Sequence, residues 1–295
     1  MEPYQGYNNI DHYLWNGIAN YNSLQVQLNR RFGHGLKFGG AYTYSKTMDT
    51  TDSDGSWVNT ISEKIYNYQL AGFDRPQILA VNYIYEMPKF SNYLGHSKIV
   101  SLLTDNYEVS GISQFIKGTP GTVGLDLSWY QRLITGSYTE GTTAYIKPGM
   151  KPGKGRGRYA AVDPTAFVMP NIGTPNPWPK QYLRGGGTNS TDLALLKRLP
   201  ISSGDKRYIE LRMEAFNAFN HPQFWGRNLY AQPAVNDGSN GGNYWGFAWN
   251  WANTVPVNPN NIRPAGSKDH LGTYFGDYNS GGNARVLQLA AKLYF

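Results

Sequence analysis

The sequence predicts an all-β protein: an antiparallel transmembrane β-barrel segment of about seven strands, with short turns at one rim and long loops at the other. Three observations lead there. Apolar and polar residues alternate with a period of two in run after run, so each strand has one apolar and one polar face. Aromatic residues make up 15% of the 295 residues and charged ones only 16%, beside 34 Gly and 17 Pro. That mixture suits short strands joined by irregular loops, and not a helical bundle, a coiled coil or a disordered chain. Finally, short and long connections take turns along the chain, a segregation that a soluble sandwich has no reason to keep.

The first strand covers 23–32, where Leu24, Val26, Leu28, Arg30 and Phe32 alternate with Ser23, Gln25, Gln27, Asn29 and Arg31. Gly33-His34-Gly35 is a tight-turn signal and leads into a second strand with Leu36, Phe38, Gly40, Tyr42 and Tyr44 on one face. The third runs over about 75–87, with Leu79, Val81, Tyr83 and Tyr85 on one face, and Pro88 stops it. The fourth spans about 107–116 and ends before Gly118-Thr119-Pro120. The fifth starts near Asn189 and carries Leu193, Leu195 and Leu199. Ser202-Ser203-Gly204-Asp205 turns it into the sixth, where Ile209, Leu211, Met213 and Ala215 alternate with Glu210, Arg212 and Glu214. The last strand ends the chain with Leu287, Leu289, Ala291, Leu293 and Phe295 on one face. Turns follow the first and fifth strands, a medium connection at 90–105 follows the third, and the remaining three links are long.

The polar faces hold Gln25, Gln27, Lys37, Glu210, Arg212 and Glu214, which suits a wet lumen. Tyr42, Tyr44, Tyr83, Tyr85, Phe32 and Phe295 stand near strand ends, as aromatic girdles do. Periodicity by itself also fits half-buried strands of a soluble protein. No apolar run approaches the length of a transmembrane helix, which leaves a barrel open. The net charge is +7 but dispersed, so nucleic acid is not an expected partner. With no cysteine, disulfides, thiol catalysis and Cys-based metal sites are excluded.

Several segments resemble the TonB-dependent outer-membrane receptors, in particular the Oar-like group with a carboxypeptidase-regulatory-like N-terminal domain. They are Tyr21-Asn22-Ser23-Leu24-Gln25-Val26-Gln27-Leu28, Ala41-Tyr42-Thr43-Tyr44-Ser45-Lys46, Leu183-Arg184-Gly185-Gly186-Gly187 with Asp192-Leu193, and the run from Glu210 to Asn220. The terminal Leu293-Tyr294-Phe295 resembles the signal read by the barrel-assembly machinery. The resemblance runs in the family's order from about Tyr21 to the last residue. It implies location in the bacterial outer membrane, contact with its lipid, and uptake of a ligand driven by TonB–ExbB–ExbD, with no chemistry on the ligand and no cofactor. Such barrels have about 22 strands around a plug. The expectation is therefore a C-terminal barrel portion, 1–295, without signal peptide, plug or earlier strands. The rivals are a soluble secreted carbohydrate-binding β-protein and a glycoside-processing β-enzyme.

No catalytic residue is assigned. His12, His34, His96, His221 and His270 are scattered without ligand spacing. Asp49, Asp52 and Asp54 precede Gly55, but the EF-hand pattern fails because Thr50 and Ile61 occupy its first and twelfth positions. No metal site is assigned, and a looser calcium site in this loop stays an alternative. Lys151-Pro152-Gly153-Lys154-Gly155-Arg156-Gly157-Arg158 lacks the spacer and Ser/Thr of a P-loop and reads as a solvated loop, with anionic lipopolysaccharide or ligand as the alternative contact. Glu210, Arg212 and Glu214 share a face and read as a charge ladder on the lumen wall, with paired-carboxylate chemistry as the alternative. Trp245, Trp249 and Trp251 in an Asn-rich loop read first as packing of the loop on itself or on neighbouring loops; they are also the candidate ligand contacts, through stacking on sugar rings or other flat ligands.

Overall fold

The computed structural model describes residues 15–33, 35–52, 68–95, 97–122, 183–201, 207–225 and 280–295, with short pieces at 124–125, 142–143, 145–146, 149, 162–163, 166–168 and 230–231. Seven long strands dominate: β1 (Ala19–Arg31), β2 (Leu36–Asp49), β3 (Gln77–Glu86), β4 (Tyr107–Ile116), β5 (Thr188–Pro200), β6 (Tyr208–Phe216) and β7 (Val286–Tyr294). Each pairs antiparallel with its neighbours in sequence, giving one meander. An eighth member, Gln69–Leu70, pairs with the far end of β2. All seven expected strands are present.

The boundaries differ from the expectation at two places. β1 begins at Ala19 and β2 ends at Asp49, with Ala19 opposite Asp49 and Asn20 opposite Met48. Beyond the apolar band both faces of a strand are wet, so alternation stops while hydrogen-bond pairing continues. The connection at 90–105 is also more than a medium loop. It contains two short helices, α1 (Ser91–Leu94) and α2 (Lys98–Thr104).

The β1–β2 turn, the α1–α2 connection and the β5–β6 turn share one rim with the chain's last residue. The three long connections leave from the other rim, where the second and third start as short paired strands: Pro120–Gly121 with Leu183–Arg184, and Gln223–Trp225 with Ser280–Gly282. Gly35 needs its left-handed φ of 83° to make the first turn, and a Cβ there would lie 2.7 Å from the Glu86 carbonyl oxygen. Because the number of antiparallel strands is odd, β1 and β7 run in the same direction. Among the described residues neither has a long strand on its outer side.

Candidate functional site

Directly opposed residues of an antiparallel pair share a face, so the register assigns every side chain. One face carries Leu24, Val26 and Leu28, then Phe38, Tyr42 and Tyr44, then Leu79, Val81, Tyr83 and Tyr85. It continues through Val109 and Phe115, Leu193 and Leu195, Ile209, Leu211 and Met213, and Leu287, Leu289 and Leu293. Many of these are well exposed, among them Leu24, Tyr44, Phe115, Met213 and Leu289. A continuous apolar surface of this size belongs against lipid. Within it the Tyr83 ring covers Gly111, where a Cβ would stand 2.6 Å from the ring. The charged residues on this face, Arg30, Lys46 and Lys197, stand toward its rims. Lys197 lies at the short-turn rim, its ammonium 4.2 Å over the Tyr107 ring and donating to the Asp105 carbonyl, as a cation does at a membrane interface.

The opposite face is polar. Near the short-turn rim it carries a row of charges across the sheet: Lys37 lies 3.4 Å from Glu86, and Arg198 lies 3.6 Å from Glu108 and 3.7 Å from Glu210. Lys292 stands opposite Glu210. One step further in, Arg212 pairs with Glu214 at 2.7 Å. Glu210 and Glu214 are therefore each held by an arginine, which is the expected charge ladder.

The long-loop rim is knit by polar side chains. Asp74, fully buried, accepts from the Thr47 N–H at 2.7 Å and from Arg184 at 2.6 Å. Asn217 and Asn220 take left-handed φ of 47° and 51° in the turn after β6. The Asp192 carboxylate accepts from the Asn217 N–H at 2.8 Å, and the Asn217 amide donates to the Asn283 carbonyl. Asn220 Oδ1 accepts from the Arg285 N–H at 3.1 Å. Three residues past the eleven or so that a spanning strand needs from Leu36, Asp49 sits at the end of β2. Burial and then the Asp52 carboxylate push it up to about 6.

Of the residues singled out in the sequence, Leu293, Tyr294 and Phe295 are placed at the short-turn rim. Leu293 points to the apolar side, Tyr294 stacks on Tyr208 across the polar side with ring centroids 4.5 Å apart, and Phe295 is 97% exposed beyond the strand. Trp245, Trp249 and Trp251, the basic stretch 151–158, and His12, His34, His96 and His270 lie outside the described residues. His221 is in the turn after β6, its N–H donating to Asn217 Oδ1. Among the described residues no three His, Asp or Glu side chains gather as metal ligands, and no helix is long and apolar enough to cross a membrane. The rim contacts of Asp74, Arg184 and Asn217 were not singled out as sites in the sequence. Their one signal was that Arg184 and Asn217 fall inside segments that resemble the receptor family.

Neither curated proteins nor solved structures offer a match to the chain. A family model described as "Outer membrane beta barrel domain" matches residues 1–288. The apolar outer face, the charged inner face and the segregated rims are what that family requires of a sheet in lipid. The chain belongs to the outer membrane beta-barrel domain family, and its place is the bacterial outer membrane.

Proposed function

We propose that this barrel is the C-terminal portion of a TonB-dependent, Oar-like receptor that takes up a ligand across the outer membrane and does no chemistry on it. The observation that carries the reading is that the meander is open among the described residues. Two parallel edges, β1 and β7, call for further strands between them to close an antiparallel barrel. The long connections on one rim, including the loop with Trp245, Trp249 and Trp251, are the surface offered to the ligand. The charged inner face suits packing against a polar plug. Leu293, Tyr294 and Phe295 serve as the assembly signal, and TonB–ExbB–ExbD supplies the energy.

The test uses the polypeptide purified from native outer membranes. In planar bilayers it is expected to show no open channel, and it is expected to be retained on immobilised periplasmic TonB domain. Steady ohmic conductance without retention would make it a passive porin and overturn the reading.

A further inference from the structure

The two-residue strand Gln69–Leu70 sets Gln69 directly opposite Asp49 at the long-loop end of β2. The two side chains therefore lie side by side on the inner face. Both are buried, Asp49 2% and Gln69 7% exposed. Neither oxygen of the Asp49 carboxylate has a hydrogen-bond partner, nor has Gln69 Oε1. The Asp52 carboxylate lies against that of Asp49, and its Oδ1 accepts from the Gly72 N–H at 2.5 Å. Asp74, the other buried carboxylate of this rim, shows what satisfaction looks like: it has Arg184 and a backbone N–H. No described lysine or arginine forms an ion pair with Asp49.

A buried carboxylate without a counter-charge, beside a second carboxylate and an orphaned amide oxygen, is disfavoured unless a proton or a cation sits among them, and a cation alone also satisfies the amide oxygen. We propose that Asp49, Asp52 and Gln69 bind a divalent cation of the calcium class at the long-loop rim. All the donors are hard oxygens, two carboxylates and an amide, which suits calcium; a zinc site would draw on His or Cys. Calcium takes about six to eight oxygens, so water completes the shell. With two acidic side chains and an amide, the site falls below a three-acid ligand group. Affinity in the range of about 10⁻⁴–10⁻³ M fits so few charges. Bound there, the cation clamps the end of β2 to the segment that returns toward β3. The site holds whether or not transport is TonB-dependent.

The test takes the protein extracted from outer membranes in detergent and stripped with EDTA. Calcium chloride is expected to raise its unfolding midpoint by a few degrees, magnesium chloride by less, and calcium is expected to displace bound terbium luminescence. Asp49→Asn removes the unpaired charge, so it is expected to fold, to be more stable than wild type in EDTA, and to lose the calcium response. Gln69→Glu is expected to respond at about tenfold lower calcium. Identical wild-type midpoints in EDTA and calcium, with no displaceable terbium, would overturn the site. So would a calcium response that Asp49→Asn keeps in full, since that places the cation on lipopolysaccharide or elsewhere on the chain.

Discussion

The Asp74 carboxylate and the Arg184 guanidinium meet at 2.6 Å, although 110 residues separate them in the chain. Asp74 is fully buried, and Arg184 also donates to the Asp74 and Gly118 carbonyls. One side chain thus ties the β2–β3 loop to the β4–β5 loop at the long-loop rim.

Removing only the guanidinium leaves the carboxylate buried without its counter-charge. Arg184→Ala is expected to destabilise the folded barrel by roughly 3 kcal/mol, whereas Asp74→Asn combined with Arg184→Met costs less. Urea unfolding in detergent, followed by gel mobility, measures both. Equal losses for the single and double variants would show that the ion pair does not hold the rim.

The two faces of β6 make the next comparison. Leu211 lies on the apolar side opposite Ala291, and Arg212 on the polar side beside Glu214. Leu211→Arg puts a charge against lipid at a cost of roughly 2–4 kcal/mol. Arg212→Leu frees one carboxylate in a wet lumen and is expected to cost less. Heat-modifiable mobility of each variant in the outer membrane reads the difference, and a larger defect for Arg212→Leu would reverse the assignment of faces.

At the opposite rim the Asp105 carboxylate is lowered to about 2, chiefly by the Ser91 hydroxyl at 2.5 Å, with further help from the Ser91 N–H, Ser101 and Thr104. A depressed carboxylate stabilises the fold above its unfolded value of 3.8 and loses that contribution as pH falls toward 2. The α1–α2 connection is therefore expected to loosen between about pH 4 and 2. Ser91→Ala raises the carboxyl toward its ordinary value, so loosening begins at higher pH. Acid-stable protease cleavage between α1 and α2 against pH checks it, and coincident profiles for wild type and Ser91→Ala would contradict it.

The strands were legible because lipid and water impose opposite chemistries on alternate residues. Leu24, Val26 and Leu28 against Gln25 and Gln27 show that contrast without any partner being known. It fails where both faces are wet, which is why the pairing of Asn20 with Met48 left no trace. It fails again in α1 and α2, whose four and seven residues are too few to display a helical period. The run from Phe216 to Asn220 was recognised by resemblance alone. Its physical reason is that Asn217 and Asn220 adopt left-handed turns and reach β5 and the approach to β7, contacts that exist only after distant segments meet. The cation site was half visible. Asp49 and Asp52 stood out, but Gln69 enters by pairing across the β2 end, which spacing does not encode.

The chain's last residue carries the final prediction. Phe295 follows β7, whose Leu287, Leu289, Ala291 and Leu293 all face the apolar side, and it is almost fully exposed at the short-turn rim. No packing contact explains an aromatic ring at that position. The assembly role proposed above for Leu293, Tyr294 and Phe295 accounts for it, since in that proposal the barrel-assembly machinery meets this strand before the sheet is complete. Deleting Phe295 is therefore expected to lower outer-membrane abundance several-fold, far more than shortening an ordinary frayed terminus would. Phe295→Tyr keeps the ring and is expected to insert normally. Quantitative blotting of outer-membrane fractions compares the two with wild type, and normal abundance of the deletion would leave Phe295 without a part in assembly.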